Sequence, residues 1–285
     1  KELKDIVDGI DRDWIPVKSC QEDGEKWQDR MVSWMRWVDW ERQNPAKLDK
    51  AIAHHRVLYA FRRALACCNY IPDLWMALLG YVELAQTASV ATPADFAPTA
   101  LLKQAISINS KSLILSFSLI DRLDRTTAGN AEPDYEQCKA VFEALLSALS
   151  GDRPVDSGDA GAFTEQERSD ITLAYLQYMQ WTRRSPGGIA AARAVFARAR
   201  KHPAIMYPIF TANALIEFRV RKDAAVAGKI FELGLGRFGS QPGYIADYLH
   251  YLIGLNDDQN ARALFERAVN NLLVSNKEAS YPIWC

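Results

Sequence analysis

One short segment recurs along the chain, and its spacing restricts the folds that this sequence can adopt. The clearest copy is ARALF at 261–265, in which small residues precede a large apolar one. The large residues that close the copies are Phe61, Leu102, Phe142, Phe196, Phe231 and Phe265. They lie 41, 40, 54, 35 and 34 residues apart. Periods of this length with helical patterning indicate stacked helix pairs, so the sequence predicts a helical repeat protein.

Three residues after each closing residue stands a small or aliphatic one. Positions i and i+3 share one face of a helix, so the large side chain covers the core while the small one lets a neighbouring helix approach. These residues are Ala64, Ala105, Leu145, Ala199, Gly234 and Ala268. The pattern predicts that both positions are buried between helices.

Prolines and capping residues divide the chain into helices. Pro203, Pro242 and Pro282 mark junctions, and Asp223 and Asp257 are predicted N-caps. The predicted helices are 25–43, 48–68, 72–86, 96–108, 113–125, 135–150, 165–183, 187–200, 204–219, 223–238, 242–254 and 257–274. No period-two strand bounded by hairpin turns is evident. We therefore predict an all-α fold, an α-solenoid of about six helix pairs.

The domain organisation follows from these helices. Residues 1–24 are a predicted helical lead-in, and 25–285 form the repeat domain. Residues 150–161, SGDRPVDSGDAG, are rich in turn-forming residues and account for the gap of 54. We expect this segment to be a mobile surface insertion within the domain, not a domain boundary.

Composition excludes several classes of protein. The chain is 49% hydrophobic and 24% charged, which argues against disorder, and its net charge of −1 does not steer it towards nucleic acid or anionic membrane. No apolar run approaches the roughly 18 residues of a spanning helix, so no membrane contact is expected. The five cysteines do not suggest a disulfide framework, which favours a reducing, intracellular setting. The missing initial Met and the start of another repeat at residue 281 lead us to expect a fragment of a longer protein.

The region 34–45 carries the first of the resemblances. Trp34, Trp37 and Trp40 lie at successive i+3 positions, Glu41 follows, and Asn44-Pro45 ends the helix. We expect the three indoles to form repeat core, not a base-stacking surface. The arrangement resembles the half-a-TPR (HAT) repeat, a TPR-like helix pair associated with RNA-processing complexes.

An ordered set of further segments resembles the suppressor-of-forked family, which includes the largest subunit of cleavage stimulation factor and its counterpart in fungal cleavage factor IA. The segments are 173–179 (LAYLQYM), 191–201, 229–235 (KIFELGL), 248–252 (YLHYL) and 261–267. The similarity covers most of 27–284 and corresponds to the C-terminal half of the family's HAT region.

This resemblance implies a function without catalysis. Members of the family are scaffold subunits of the nuclear mRNA 3′-end cleavage and polyadenylation complex. It implies a homodimer that bridges the RNA-binding subunit, the WD-repeat subunit and the polyadenylation specificity factor, with RNA contacted mainly indirectly. The alternative is a HAT protein of splicing or ribosome assembly that binds RNA directly.

No catalytic, metal or cofactor site is predicted. Gly234, Gly236 and Gly239 match G-x-G-x-x-G, but they end a predicted helix, where glycine suits a left-handed C′ position, and no strand precedes them. His54 and His55 are adjacent, so they point about 100° apart on a helix and do not converge on one metal. We expect Cys67 and Cys68 to pack a helix end.

Two candidate surfaces remain. No acidic residue occurs between Asp170 and Glu217, so this stretch predicts a basic ridge for RNA phosphates or an acidic partner. Its members are Arg183, Arg184, Arg193, Arg198, Arg200 and Lys201. The alternative is a solvated face paired with acids of neighbouring repeats. The predicted dimer patch is 206–284, with Tyr244, Tyr248, Tyr251 and Tyr281; these tyrosines could equally be core within the repeats.

Overall fold

The protein is all-α in the computed structural model, which describes residues 2–11, 24–126, 134–151, 153 and 160–275. The helices are α1 (Glu2–Asp8), α2 (Gly24–Arg42), α3 (Lys50–Cys68), α4 (Pro72–Thr87), α5 (Pro98–Ile108), α6 (Leu113–Thr126), α7 (Tyr135–Ser150), α8 (Glu165–Arg184), α9 (Gly188–Ala199), α10 (Pro208–Arg221), α11 (Ala224–Phe238), α12 (Pro242–Gly254) and α13 (Asp258–Ser275). Short 3₁₀ turns occur at Ala94–Phe96 and Ala160–Ala162. No strand lies within these ranges, which confirms the predicted fold class.

The helices group into two compact units, Lys1–Ala148 and Leu149–Cys285. In the first unit α2 packs on α3 and α4 on α5, and α6 meets α7 through the rings of Phe117 and Phe142, 6.4 Å apart. In the second unit the pairs are α8 with α9, α10 with α11 and α12 with α13. The described helices therefore form six pairs, as predicted. The division falls within the last turn of α7, and the interpretation of 150–161 as an insertion within one domain stays a prediction.

Within the second unit, successive pairs stack through their first helices. Helix α10 contacts both α8 and α12, and it also touches α9 of the preceding pair. A repeat fold needs this contact, because a single helix pair cannot bury its own apolar face. In the first unit α4 similarly contacts α3 and α6.

The recurring apolar residues form the core that the period predicts. Five of the six closing residues are buried: Phe61, Leu102, Phe142, Phe196 and Phe231. The residues three positions later, from Ala64 to Ala268, are also buried. Phe265 is only half-buried, and its neighbour Leu264 takes the inner position of α13.

The tryptophan stripe of α2 is buried less completely than predicted. Trp34 is 2% exposed, but Trp37 and Trp40 are only half-buried. Each step of three residues turns the side chain back by roughly 60° on a helix, so 34, 37 and 40 drift across a wide arc. The buried face instead follows Trp27, Trp34, Val38 and Glu41.

Most helix boundaries agree with the prediction, and the differences have local causes. Helix α10 begins at Pro208, not at 204, because proline is favoured in the first turn, where its missing N–H is not needed. Asp223 caps α11 by accepting a hydrogen bond from the Val226 N–H, and Asp257 accepts one from the Asn260 N–H. Gly239 ends α11 with φ −64°, so the left-handed conformation expected there was wrong. In the described ranges no helix is long and apolar enough to cross a membrane.

Candidate interaction surfaces

Four of the six basic residues of the predicted ridge lie next to the two ends of α9, and Arg193 and Arg198 lie within that helix. Arg183 and Arg184 close α8 beside the turn into α9, whereas Arg200 and Lys201 follow the far end of α9. Helix α9 has 12 residues, which corresponds to roughly 18 Å. The structure therefore separates the predicted ridge into two basic sites.

Two arginines of the ridge are engaged inside the fold. Arg193 donates to both carboxylate oxygens of Glu217, with Nε–Oε1 and Nη2–Oε2 distances of 2.6 and 2.8 Å. Glu217 is 1% exposed, so the pair joins α9 to the core side of α10. The guanidinium of Arg198 lies over the rings of Tyr175 and Tyr178, 5.6 and 5.7 Å from their centroids. Arg193 therefore matches the alternative interpretation, in which a basic residue pairs with an acid of a neighbouring repeat.

Two further arginines, which the sequence pattern did not include, surround the loop between α9 and α10. Arg237 of α11 donates to the carbonyl oxygens of Arg200, His202 and Pro203 at 3.2, 3.4 and 2.8 Å. Arg168 of α8 donates from Nε to the carbonyl of Ala204 at 3.4 Å. Burial, with the nearby charge of Arg168, lowers the pKa of Arg237.

We define the loop cluster as Arg168, Arg200, Lys201 and Arg237. The acid-free stretch of the sequence contributes only Arg200 and Lys201 to it, and the fold adds the other two. None of its four side chains forms an ion pair with an acid in the part of the chain that the structure describes. Arg168 and Arg237 donate to carbonyl oxygens of the residues that follow α9, at positions 200 and 202–204. Only the tertiary contacts of α8 and α11 bring them to this loop.

The three described tyrosines of the predicted dimer patch belong to the core of the last two pairs. The hydroxyl of Tyr244 donates to the carbonyl of Phe231 at 2.7 Å, and that of Tyr251 to the carbonyl of Ala224 at 2.8 Å. Tyr248 donates to Oε1 of Glu232 at 2.6 Å. All three side chains are buried within the chain, which agrees with the alternative that these tyrosines form the core of the repeats. Tyr281 lies outside the described residues.

Other reactive side chains are also enclosed. His54 places Nδ1 2.9 Å from the Tyr81 hydroxyl and Nε2 3.3 Å from Oγ1 of Thr92. Burial raises the pKa of the Cys68 thiol to about 12 at the end of α3. Within the described residues, no three His, Cys, Asp or Glu side chains converge as metal ligands would. Gly234 and Gly236 lie inside α11, with no strand before them.

Comparison with known sequences gives a consistent set of relatives. The profile described as Suppressor of forked protein (Suf) matches residues 1–285. The chain is 31% identical over 278 residues to the mRNA 3'-end-processing protein RNA14 of Yarrowia lipolytica, which covers 94% of this chain and 32% of that protein. It is 32% identical over 287 residues to cleavage stimulation factor subunit 77 of Arabidopsis thaliana, covering 100% of this chain and 33% of that protein. The chain thus spans about a third of the length of these relatives.

Comparison with solved structures concerns the fold alone. The crystal structure of CstF-77 matches with a TM-score of 0.52 at 16% sequence identity. The match covers 88% of this chain and 49% of that chain. It agrees with the helix-pair architecture described above.

Proposed function

The chain belongs to the suppressor-of-forked family, and we propose that it is the HAT-repeat part of a non-catalytic scaffold subunit in nuclear mRNA 3′-end cleavage and polyadenylation. The names of its relatives support the process: one is an mRNA 3'-end-processing protein and another a subunit of cleavage stimulation factor. The proposed partners are the RNA-binding and WD-repeat subunits of the cleavage factor, the polyadenylation specificity factor and a second copy of the chain.

The observation that carries the scaffold role is the use of buried polar groups to fix helices to one another. Glu41 of α2 accepts two hydrogen bonds from Arg56 of α3, at 2.8 and 2.9 Å. Glu217 holds Arg193 in the same two-point manner between α10 and α9. Such paired contacts fix the angle between helices. A fixed stack suits a frame whose outward surfaces bind other proteins over a long span.

Homodimerisation through the last repeats is part of this proposal. Because Tyr244, Tyr248 and Tyr251 are enclosed, the contact would use outward side chains of the same helices. Leu233 of α11 and Ile253 of α12 are large, apolar and exposed, as residues of an interface often are. Multi-angle light scattering tests the dimer directly: twice the mass of 32.1 kDa is expected, and a mass of one chain at all concentrations would contradict it.

Partner binding is tested by reversing three basic residues, of which Arg184 and Lys201 are exposed and Arg183 is half-buried. The triple variant Arg183→Glu, Arg184→Glu, Lys201→Glu is expected to weaken capture of the cleavage-factor subunits in a salt-dependent pull-down, because it reverses the charge at the α8–α9 turn and lowers the positive charge of the loop cluster. The control Lys103→Glu, Lys111→Glu, Lys229→Glu changes the net charge equally at other exposed positions. Equal capture by both variants would remove these sites from the proposal.

Direct RNA binding is the second candidate, favoured by the exposed Arg184, Arg200 and Lys201 in a stretch without acids. Filter binding of single-stranded RNA over a salt series separates it from the scaffold role. A direct binder would lose affinity steeply, with a log–log slope of roughly −0.7 per phosphate neutralised. The scaffold proposal expects little affinity at any salt concentration.

A further inference from the structure

The turn between α8 and α9 has the sequence Arg183-Arg184-Ser185-Pro186-Gly187-Gly188. It is closed by a hydrogen bond of 2.9 Å from the N–H of Gly188 to the carbonyl of Ser185. Arg184, Pro186 and Gly187 are exposed, and Ser185 is half-buried. The serine therefore lies on the surface of the second unit, between two helices and not inside either of them.

The backbone at Ser185 is already extended. Its φ of −74° and ψ of 167° place it in the polyproline region, which the following proline favours. Protein kinases that select proline after the acceptor bind a serine in such an extended conformation, so the turn need not unfold at this residue. The three residues after the acceptor, Pro186, Gly187 and Gly188, carry no bulky side chain that would block access from that side.

The serine hydroxyl is held by a single short contact. Its Oγ donates to the carbonyl of Thr182 at 2.6 Å, in the last turn of α8. Rotation about one side-chain bond frees it, because no other hydrogen bond of this hydroxyl occurs among the described residues. The hydroxyl is thus restrained but not enclosed.

The second Ser/Thr-Pro sequence of the chain, Thr92-Pro93, provides a contrast. Oγ1 of Thr92 lies 3.3 Å from Nε2 of the buried His54 and donates to the carbonyl of Val90 at 3.4 Å. Its hydroxyl faces the His54–Tyr81 contact between α3 and α4. Both acceptors are half-buried, but the Thr92 hydroxyl lies against a side chain of another helix, whereas the Ser185 hydroxyl bonds only to the end of the helix that precedes it.

Two features of the residues next to Ser185 in the chain favour a negative charge. The buried Nε–H of Arg183, two residues earlier, has no hydrogen-bond partner among the described residues. The N-cap of α9 is Gly187, which supplies no side-chain cap, so the first N–H groups of α9 are not bonded by a side chain there. Guanidinium groups and helix N-termini are two environments that stabilise phosphate in proteins.

We propose that Ser185 is a phosphorylation site for a proline-directed serine/threonine kinase, and that its phosphate is held by Arg183, Arg184 and the start of α9. In the reaction Oγ bonds to the γ-phosphorus of ATP, the bond from that phosphorus to the β-phosphate oxygen breaks, ADP leaves, and the hydroxyl proton passes to the kinase base. The proposal is independent of the scaffold function.

The modified side chain cannot keep its present position. A phosphate carries only acceptor oxygens and about two negative charges, so it is repelled by the Thr182 carbonyl and by the negative end of α8. It would turn towards α9 and the two guanidinium groups. The phosphate then cancels the charge of Arg183 and Arg184, which converts one of the two basic sites into a neutral one.

The acceptor is tested on the folded 285-residue chain with a purified proline-directed kinase and ATP, followed by mass-spectrometric localisation of the phosphate. Ser185→Thr is expected to retain incorporation at position 185, and Thr92→Val to leave it unchanged. Ser185→Ala and Pro186→Ala are expected to reduce total incorporation at least tenfold. Phosphate on Thr92 instead, or incorporation only after denaturation in urea, would overturn the proposal.

The holding of the phosphate is tested by ³¹P NMR on the phosphorylated chain. The second ionisation of free phosphoserine has a pKa of about 6, and paired guanidinium groups are expected to lower it measurably. The double variant Arg183→Gln, Arg184→Gln should return it towards about 6. A wild-type value at or above that of phosphoserine would show that the phosphate faces the end of α8, which contradicts the proposed arrangement.

Discussion

Gly234 of α11 lies directly against the side chain of Tyr244 of α12. A Cβ atom at position 234 would stand 2.7 Å from Cζ of Tyr244 and 3.2 Å from Cδ1 of Phe210. Tyr244 is fully buried, and its hydroxyl donates to the Phe231 carbonyl one turn earlier in α11. The absence of a side chain at 234 therefore lets a tyrosine of the next pair reach the backbone of α11.

Gly234→Ala is expected to destabilise the chain by about 1–3 kcal/mol, the usual cost of overpacking a filled core. The control is Gly236→Ala in the same helix, where a Cβ meets nothing within 4 Å. That change should stabilise by about 0.5–1 kcal/mol, because alanine is the better helix former. Urea denaturation followed by circular dichroism measures both, and equal shifts of the two variants would contradict the packing account.

The Arg193–Glu217 pair predicts an asymmetry between its two deletions. Arg193→Met leaves a buried carboxylate without its partner and is expected to cost about 2–4 kcal/mol, while Glu217→Gln keeps an acceptor and should cost about 1 kcal/mol. The double variant Arg193→Met, Glu217→Gln should be more stable than Arg193→Met alone, because it leaves no buried carboxylate without a partner. A double-mutant cycle in urea measures the coupling; additive effects would show that the two groups do not interact in solution.

The Arg153–Glu167 pair predicts sensitivity to acid. Hydrogen bonds from Arg153 and then from the Thr164 N–H lower the pKa of Glu167 to about 2. A lowered carboxyl pKa stabilises the fold above the unfolded value of about 4.3 and loses that contribution as the pH falls towards 2.

Arg153→Met should therefore lower stability at pH 6 and weaken its decrease between pH 4.5 and 2.5. Arg62→Met is the matched control, because the Arg62–Asp95 pair is exposed on both sides and surface pairs contribute little. Thermal midpoints across this pH range provide the measurement. Parallel curves for wild type and Arg153→Met would exclude the linkage.

His202 predicts a second pH dependence, nearer neutrality. The side chain is 1% exposed, and its Nδ1 accepts the Ala204 N–H at 3.2 Å. Burial, and then the charge of Arg237, lower the pKa of His202. The folded chain therefore holds the ring neutral, and its contribution is present above the unfolded pKa of about 6.5 and declines below it.

His202→Asn can retain an acceptor for the Ala204 N–H but has no titratable ring. We expect the urea midpoint of this variant to change less between pH 7.5 and 5.5 than that of wild type. His250→Asn, at an exposed position of α12, should behave as wild type. If His202→Asn keeps the full pH dependence, another group is responsible for it.

Phosphorylation at Ser185 gives the most direct prediction for regulation. A phosphate of about two negative charges cancels those of Arg183 and Arg184, so capture of the cleavage-factor subunits should fall to the level of the neutral variant Arg183→Gln, Arg184→Gln. Pull-downs with the phosphorylated and the untreated chain make the comparison. If phosphorylation and the charge variant reduce capture by different amounts, the phosphate does not act by cancelling the charge of Arg183 and Arg184.

The candidate surfaces were harder to predict than the fold, for a physical reason. A run without acids such as 171–216 shows the charge of one segment only. Glu217 of the next helix neutralises Arg193. Arg237 adds positive charge to the α9–α10 loop, although it lies 34 to 37 residues further along the chain. Aromatic residues at helical spacing are equally consistent with a core and with an interface. Contacts of Tyr244 and Tyr251 with backbone carbonyls decide between them for the monomer.

The sequence by itself determined the number of helix pairs, most of their ends and the buried positions of the recurring segment. These depend on local spacing, capping and proline chemistry, which act within a few residues. The tertiary structure alone decided which acid meets which arginine, how closely α11 and α12 approach at Gly234, and that the hydroxyl of Thr92, unlike that of Ser185, lies against a side chain of another helix. Those outcomes depend on the neighbouring helix, and residues far apart in the chain set its position.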